Sequence, residues 1–124
     1  MMRVALDLKE QDKVEYLVEK ALPTGDSYDD WAVLVDHQRV RAYTLYTGYN
    51  KLGNKKYANF CVSFEVANPI DVRVDYEDNT SDVREWIEEN GIDYLVRDEV
   101  VAALRKIDEE LAQYVSPAKD YSFV

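Results

Sequence analysis

The segment YTGYNKLGNKKYANF, Tyr46 to Phe60, gathers three lysines, three asparagines and three tyrosines without a single acid, in a chain of 124 residues whose formal net charge is −10. Ammonium groups attract phosphate and tyrosine rings stack on bases, so this composition suits an anion or a nucleic-acid strand. Gly48 and Gly53 also stand at the G-x-x-x-x-G spacing of a phosphate-cradling loop. That loop needs Lys directly after the second glycine and then Ser or Thr for magnesium. Asn54 and Lys55 occupy those places. It also needs a helix on its far side, and here both flanks read as strand. The segment therefore reads first as a long hairpin turn, in which Gly and Asn accept positive φ and the lysines stay in water. The anion-binding alternative rests on Arg39, Arg41, Lys51, Lys55 and Lys56 with Tyr46 and Tyr49. Strand parity places Arg39, Arg41, Tyr43, Leu45 and Tyr49 on one face.

Carboxylates dominate elsewhere. Residues 37–64 hold five bases and no acid, whereas both flanking segments are net acidic. The stretch DYEDNTSD, Asp75 to Asp82, has the look of a calcium loop, but the glycine required at its sixth place is Thr80 and the glutamate at its twelfth is Trp86. It reads instead as a strand-to-helix turn with capping acids. Glu85, Glu88 and Glu89 fall on one side of a helix, and Asp108, Glu109 and Glu110 on the next. Such acids are ordinarily a solvated face. They can also enter a basic groove, where carboxylates take the places of phosphates and use the same steering field. Small acidic immunity and anti-defence proteins that act as nucleic-acid mimics work in this way. The expectation is a non-enzymatic binding protein, an inhibitor of a basic, nucleic-acid-binding partner such as a nuclease. Nucleic acid itself is the alternative partner, and a second copy of the chain is another.

The inventory for catalysis is thin. His37 is the one histidine and Cys61 the one cysteine, so zinc sites built from several such residues are excluded. No G-x-S-x-G elbow is present. Cys61 sits in the apolar stretch NFCVSFEV and reads as a small buried hydrophobe, which argues against a His37–Cys61 nucleophile pair. Neither catalysis, nor a cofactor, nor a metal is expected.

These groups need a scaffold, and the composition supports one. The hydrophobic fraction is 47% and the charged fraction 32%, as in a globular domain rather than a disordered chain. The length suits a single domain over 1–124. No apolar run approaches the ~20 residues that span a bilayer. The opening MMRVALDLKEQDK has no long apolar core of a signal peptide. A cytoplasmic location, or the cytoplasm of a host, is the expectation.

Periodicity supplies the elements. Met2, Val4, Leu6 and Leu8 alternate like a short strand, or extend the following helix backward. Val14, Leu17, Val18 and Ala21 mark that helix, closed by Pro23 and Gly25. WAVLVD reads as a buried strand, and His37-Gln38 as a tight connection. Residues 39–49 and 57–66 read as strands around the basic tip. Asn68-Pro69 breaks the chain, and Ile70 to Glu77 alternates as a further strand. Val83, Trp86 and Ile87 form an amphipathic helix stopped by Gly91. Asp98 is a good N-cap for a last helix striped by Val101, Leu104, Ile107, Leu111 and Val115. The sum is an α+β domain with a mainly antiparallel sheet of four to five strands and about three helices packed on it. The tail, 116–124, ends in Ser122-Phe123-Val124, a form that can add a strand to a PDZ-type domain; its apolar residues make docking on the body the expectation.

Overall fold

A computed structural model of the chain describes residues 8–66, 71–77 and 80–114. It is an α+β domain in the order α1 (Leu8–Ala21), β1 (Ala32–Asp36), β2 (Arg39–Tyr49), β3 (Lys55–Glu65), β4 (Arg73–Glu77), α2 (Ser81–Asn90), α3 (Ile92–Arg105) and α4 (Asp108–Ala112). The four strands form an antiparallel meander in sequence order.

Period-2 alternation decides which side of the sheet each residue faces. Val33, Val40, Ala42, Tyr46, Ala58, Phe60, Val62 and Phe64 point one way and are buried. The helices cover this side, with Val14, Val18, Trp86, Ile87, Val96, Val100, Leu104 and Leu111 joining the same core. The residues between them, including Arg39, Arg41, Tyr43, Tyr57 and Asn59, point the other way and are exposed. One face of the sheet is thus filled by helices, and the other is open among the described residues.

The turns have local causes. His37 adopts a positive φ of 56°, a conformation histidine tolerates better than most residues, and closes a two-residue hairpin between Asp36 and Arg39. The tip between β2 and β3 is organised by Asn50. Its side-chain oxygen accepts the backbone N–H groups of Leu52 and Asn54, each at 2.9 Å, and Gly53 takes a φ of 81°. Strands flank it on both sides, so the glycine spacing serves a hairpin. The segment before β1 runs beside β2: the Asp29 N–H donates to the Leu45 carbonyl at 3.1 Å and the Thr47 N–H to the Ser27 carbonyl at 2.8 Å. The Thr44 hydroxyl donates to the Asp29 carbonyl at 2.9 Å.

Thr80 caps α2, its hydroxyl accepting the Val83 N–H. Gly91, at φ 61°, closes α2 and opens α3. Asp98 is therefore not an N-cap but an interior residue of α3. The apolar stripe begins earlier than expected, at Ile92 and Val96, and Asp98 and Glu99 take its outer positions. The stripe is also interrupted. Lys106 and Ile107 leave the helix, and α4 restarts at Asp108 with Leu111 in the core. The expected strand at the N-terminus lies outside the described residues up to Leu8, which begins α1. The break at Asn68-Pro69 and the tail 116–124 also lie outside them.

Candidate binding surfaces

The six acids expected on one face divide into two groups with different neighbours. On α2, Glu85, Glu88 and Glu89 are exposed on the side away from Trp86 and Ile87. Glu85 and Glu89 line a cleft of about 180 Å³ together with Asn50, Lys51, Leu52 and Lys56. The basic hairpin tip therefore packs beside the acidic helix of its own molecule. Lys56 pairs with Asp82, and the Trp86 indole N–H donates to the Tyr49 carbonyl at 3.3 Å. Glu88 accepts from the Tyr76 hydroxyl at 3.5 Å. On α4, Glu109 and Glu110 are exposed and Asp108 is half-buried. Glu110 lines a second hollow with Asp12, Lys13 and Tyr16 of α1. Among the described residues, none of Glu85, Glu89, Glu109 and Glu110 forms an ion pair.

The basic set is spread along the length of the sheet. Arg39 stands between Asp36 and Glu65 in register, and Arg41 between Leu34 and Ser63. The lysines occupy the opposite end. Tyr49 pairs with Lys55, and ten strand residues at ~3.4 Å each put them roughly 34 Å from Arg39. Lys55 lies over the Tyr57 ring at 5.8 Å, and Lys51 is exposed at the tip. Tyr49 is exposed, but Tyr46 is not available to stack a base. It lies on the covered side, edge-on to Tyr28 and Phe60. Parity is the reason: even-numbered residues of β2 point into the core.

The open side of the sheet carries a groove of about 570 Å³. Tyr43, Leu45, Asn59 and Cys61 contribute to its floor, and Asp30, Asp75 and Glu77 to its walls. The register aligns Tyr43, Cys61 and Asp75 in one row and Leu45, Asn59 and Glu77 in the next. Cys61, expected as a buried hydrophobe, is instead half-buried on this open face. Phe60 and Val62 point inward, so the residue between them must point out. Burial pushes its thiol pKa up, the Tyr43 hydroxyl draws it back, and Asp75 pushes it up again. The alternation of Phe60, Val62 and Phe64 with Asn59, Cys61 and Ser63 was a usable signal for this face. Nothing in the sequence, however, placed Asp30 or Glu77 beside Tyr43.

His37 lies at the turn end of the sheet, 3.6 Å from the Asp36 carboxylate. Cys61 sits in the row of Tyr43, six residues along from His37, roughly 20 Å at strand spacing. The two do not meet as a nucleophile and base. Among the described residues no group of three or more His, Cys, Asp or Glu is placed to hold a metal ion, and no helix is long and apolar enough to cross a membrane. Compared with family models, curated proteins and solved structures, the chain matches none.

Proposed function

We propose that this is a small acidic binding protein that docks on a basic protein partner and inhibits it, in the manner of anti-defence and immunity proteins. One observation carries the reading: the carboxylates of Glu85, Glu89, Glu109 and Glu110 are exposed on α2 and α4, whose apolar residues join the core, and none of them forms an ion pair among the described residues. The helical backbone beneath these carboxylates is already ordered, so binding need fix only their side chains, and they steer a cationic partner through a field that ionic strength weakens. The net charge of −10 acts in the same direction. A nucleic-acid-binding protein is the natural target, because its groove is already built to take a row of negative charges.

The nucleic-acid or anion-binding reading of the hairpin has weaker support. Lys56 is engaged by Asp82, Lys51 stands beside Glu85 and Glu89, and the two arginines lie at the far end of the sheet. A polyanion would meet these acids along with the bases.

Affinity capture from a native lysate with the tagged chain, with and without nuclease, tests the proposal. A single basic, nucleic-acid-binding protein retained after nuclease is the expected result. Glu85→Lys, Glu88→Lys and Glu109→Lys together then slow its association and flatten the salt dependence. Capture that vanishes with nuclease overturns the reading and returns the weight to Lys51, Lys55 and Lys56.

A further inference from the structure

The groove on the open face of the sheet is lined by neither acidic helix. Its lining combines an aromatic ring, an aliphatic side chain, a carboxamide and three carboxylates, with no cation among them. Tyr43 and Leu45 offer a flat and largely apolar floor, and Asn59 offers an amide oxygen between them and β4. Asp75 and Glu77 are alternate residues of β4, so both side chains rise on the same side of the strand, from Cα positions about 7 Å apart. Arg41 and Arg73 stand in the neighbouring row without lining the groove, so they set a positive end to its negative field.

This combination discriminates among ligands. A phosphate or carboxylate meets three like charges. A neutral apolar side chain covers the carboxylates without replacing their water. An ammonium satisfies the charge but presents no flat surface to the ring. A guanidinium does both: its face stacks on an aromatic ring while its edge N–H groups donate to adjacent carboxylates. Buried arginines stacked on tyrosine are also among the residues that carry most of the affinity in protein interfaces.

We propose that the Tyr43 groove is an anchor site for an arginine side chain presented by a protein partner. The inference rests on the reading of that partner as basic, and it assigns a part of the surface that the helical acids do not include. The guanidinium lies on the Tyr43 ring, with Asp75 and Glu77 accepting its N–H groups and Asp30 closing the opposite wall. The acids of α2 and α4 then contribute to approach, and the groove to retention once the partner has docked.

Cys61, the single cysteine, stands in the groove floor and reports on it directly. The native chain is treated with two methanethiosulfonate reagents of matching size, one bearing trimethylammonium and one bearing sulfonate. Beyond their rate ratio on a small free thiol, which already favours the cation because the nucleophile is an anionic thiolate, the cationic reagent is expected to gain a further tenfold or so, at the lower end of the range for electrostatically focused clefts. Asp75→Asn with Glu77→Gln collapses that ratio. Glu109→Gln with Glu110→Gln removes the same charge from the helical side and leaves the ratio close to the native value. A short acetylated peptide with one arginine at millimolar concentration slows the labelling of Cys61, and its citrulline counterpart does not. A ratio on Cys61 no larger than that on the free thiol overturns the proposal. So does a citrulline peptide that protects equally well, or a Cys61 that is unreactive in the native chain because another part of the molecule fills the groove. None of these measurements uses α2 or α4 as its readout. Failure here therefore refutes the groove alone, whereas loss of nuclease-resistant capture refutes the basic partner.

Discussion

Along β2, Val40, Ala42, Thr44 and Tyr46 are buried while Arg39, Arg41 and Tyr43, interleaved with them, are exposed. β3 repeats the arrangement, with Phe60, Val62 and Phe64 inside and Cys61 and Ser63 half-covered on the outer side. The covered face is dense with apolar volume and linked ring to ring, from Trp31 through Tyr28, Tyr46 and Phe60 to Tyr76. The open face mixes arginines, tyrosines, acids and a thiol. Two sets of residues with the same backbone therefore answer to different demands. On the covered face, removing a side chain leaves a void. On the open face, water fills the gap, so residue types there are free to serve recognition.

Truncation on each face tests this contrast most severely. Phe60→Ala should cost about 3–5 kcal/mol, the range for a large buried aromatic. Tyr43→Ala, on the neighbouring strand but facing out and 40% exposed, should cost only about 1–1.5 kcal/mol, from strand propensity and its cross-strand contact. Urea unfolding measures both, and equal costs would erase the distinction between the faces.

Gly48 sharpens the comparison at the point where a helix meets the strand. A Cβ at this position would lie 2.7 Å from the Trp86 ring. The glycine is needed because the indole lies directly over the β2 backbone. Gly48→Ala should cost about 1–3 kcal/mol, as overpacking does, and alter the near-ultraviolet circular dichroism of the indole. An unchanged spectrum with native stability would mean that Trp86 is not held against the strand.

Tyr28 offers a test by pH. Partial burial and the adjacent Glu99 carboxylate, to which its hydroxyl donates, raise its pKa well above the ordinary 10.0. The folded chain therefore holds this proton more tightly than the unfolded chain. Its contribution to stability is complete below about pH 10 and is lost as pH rises beyond that, while the unfolded phenol ionises first. Tyr28→Phe should flatten the alkaline fall in stability. An identical alkaline slope in both proteins would remove Tyr28 from the linkage.

Lys56→Ala should give the smallest change. Its partner Asp82 is largely exposed, and such pairs contribute below about 1 kcal/mol. A loss well above that, seen in the same urea titrations, would make the ion pair a structural clamp between the hairpin tip and α2.

Much of this molecule follows from local pattern. The fold class, the four described strands, the end of α1 near Pro23 and the Gly91 break can all be read from residue periods and breakers, because each depends on neighbours within a few positions. Parity along β2 already placed Arg39, Arg41, Tyr43 and Tyr49 on one side. The same parity, applied to Tyr46 and Cys61, contains their true orientations, but composition suggested otherwise: a tyrosine in a basic segment looked like surface, and a cysteine between Phe60 and Val62 looked like core. Asp98 has the chemistry of a cap but stands inside α3, because the apolar stripe behind it extends back to Ile92.

Local pattern assigns each residue a side of its own element, and composition sets the charge of the whole. Which of these sides meet is a matter of long-range pairing and packing. Strand register, a matter of pairing between residues far apart in the chain, aligned Asp75 and Glu77 with Cys61 and Asn59. Packing of α2 on the sheet brought Asp82, Glu85 and Glu89 to the lysines of the hairpin tip, so charges that are separate along the chain partly answer one another in space. No local period encodes those distances. They follow from the way the helices close over one face of the sheet and leave the other open.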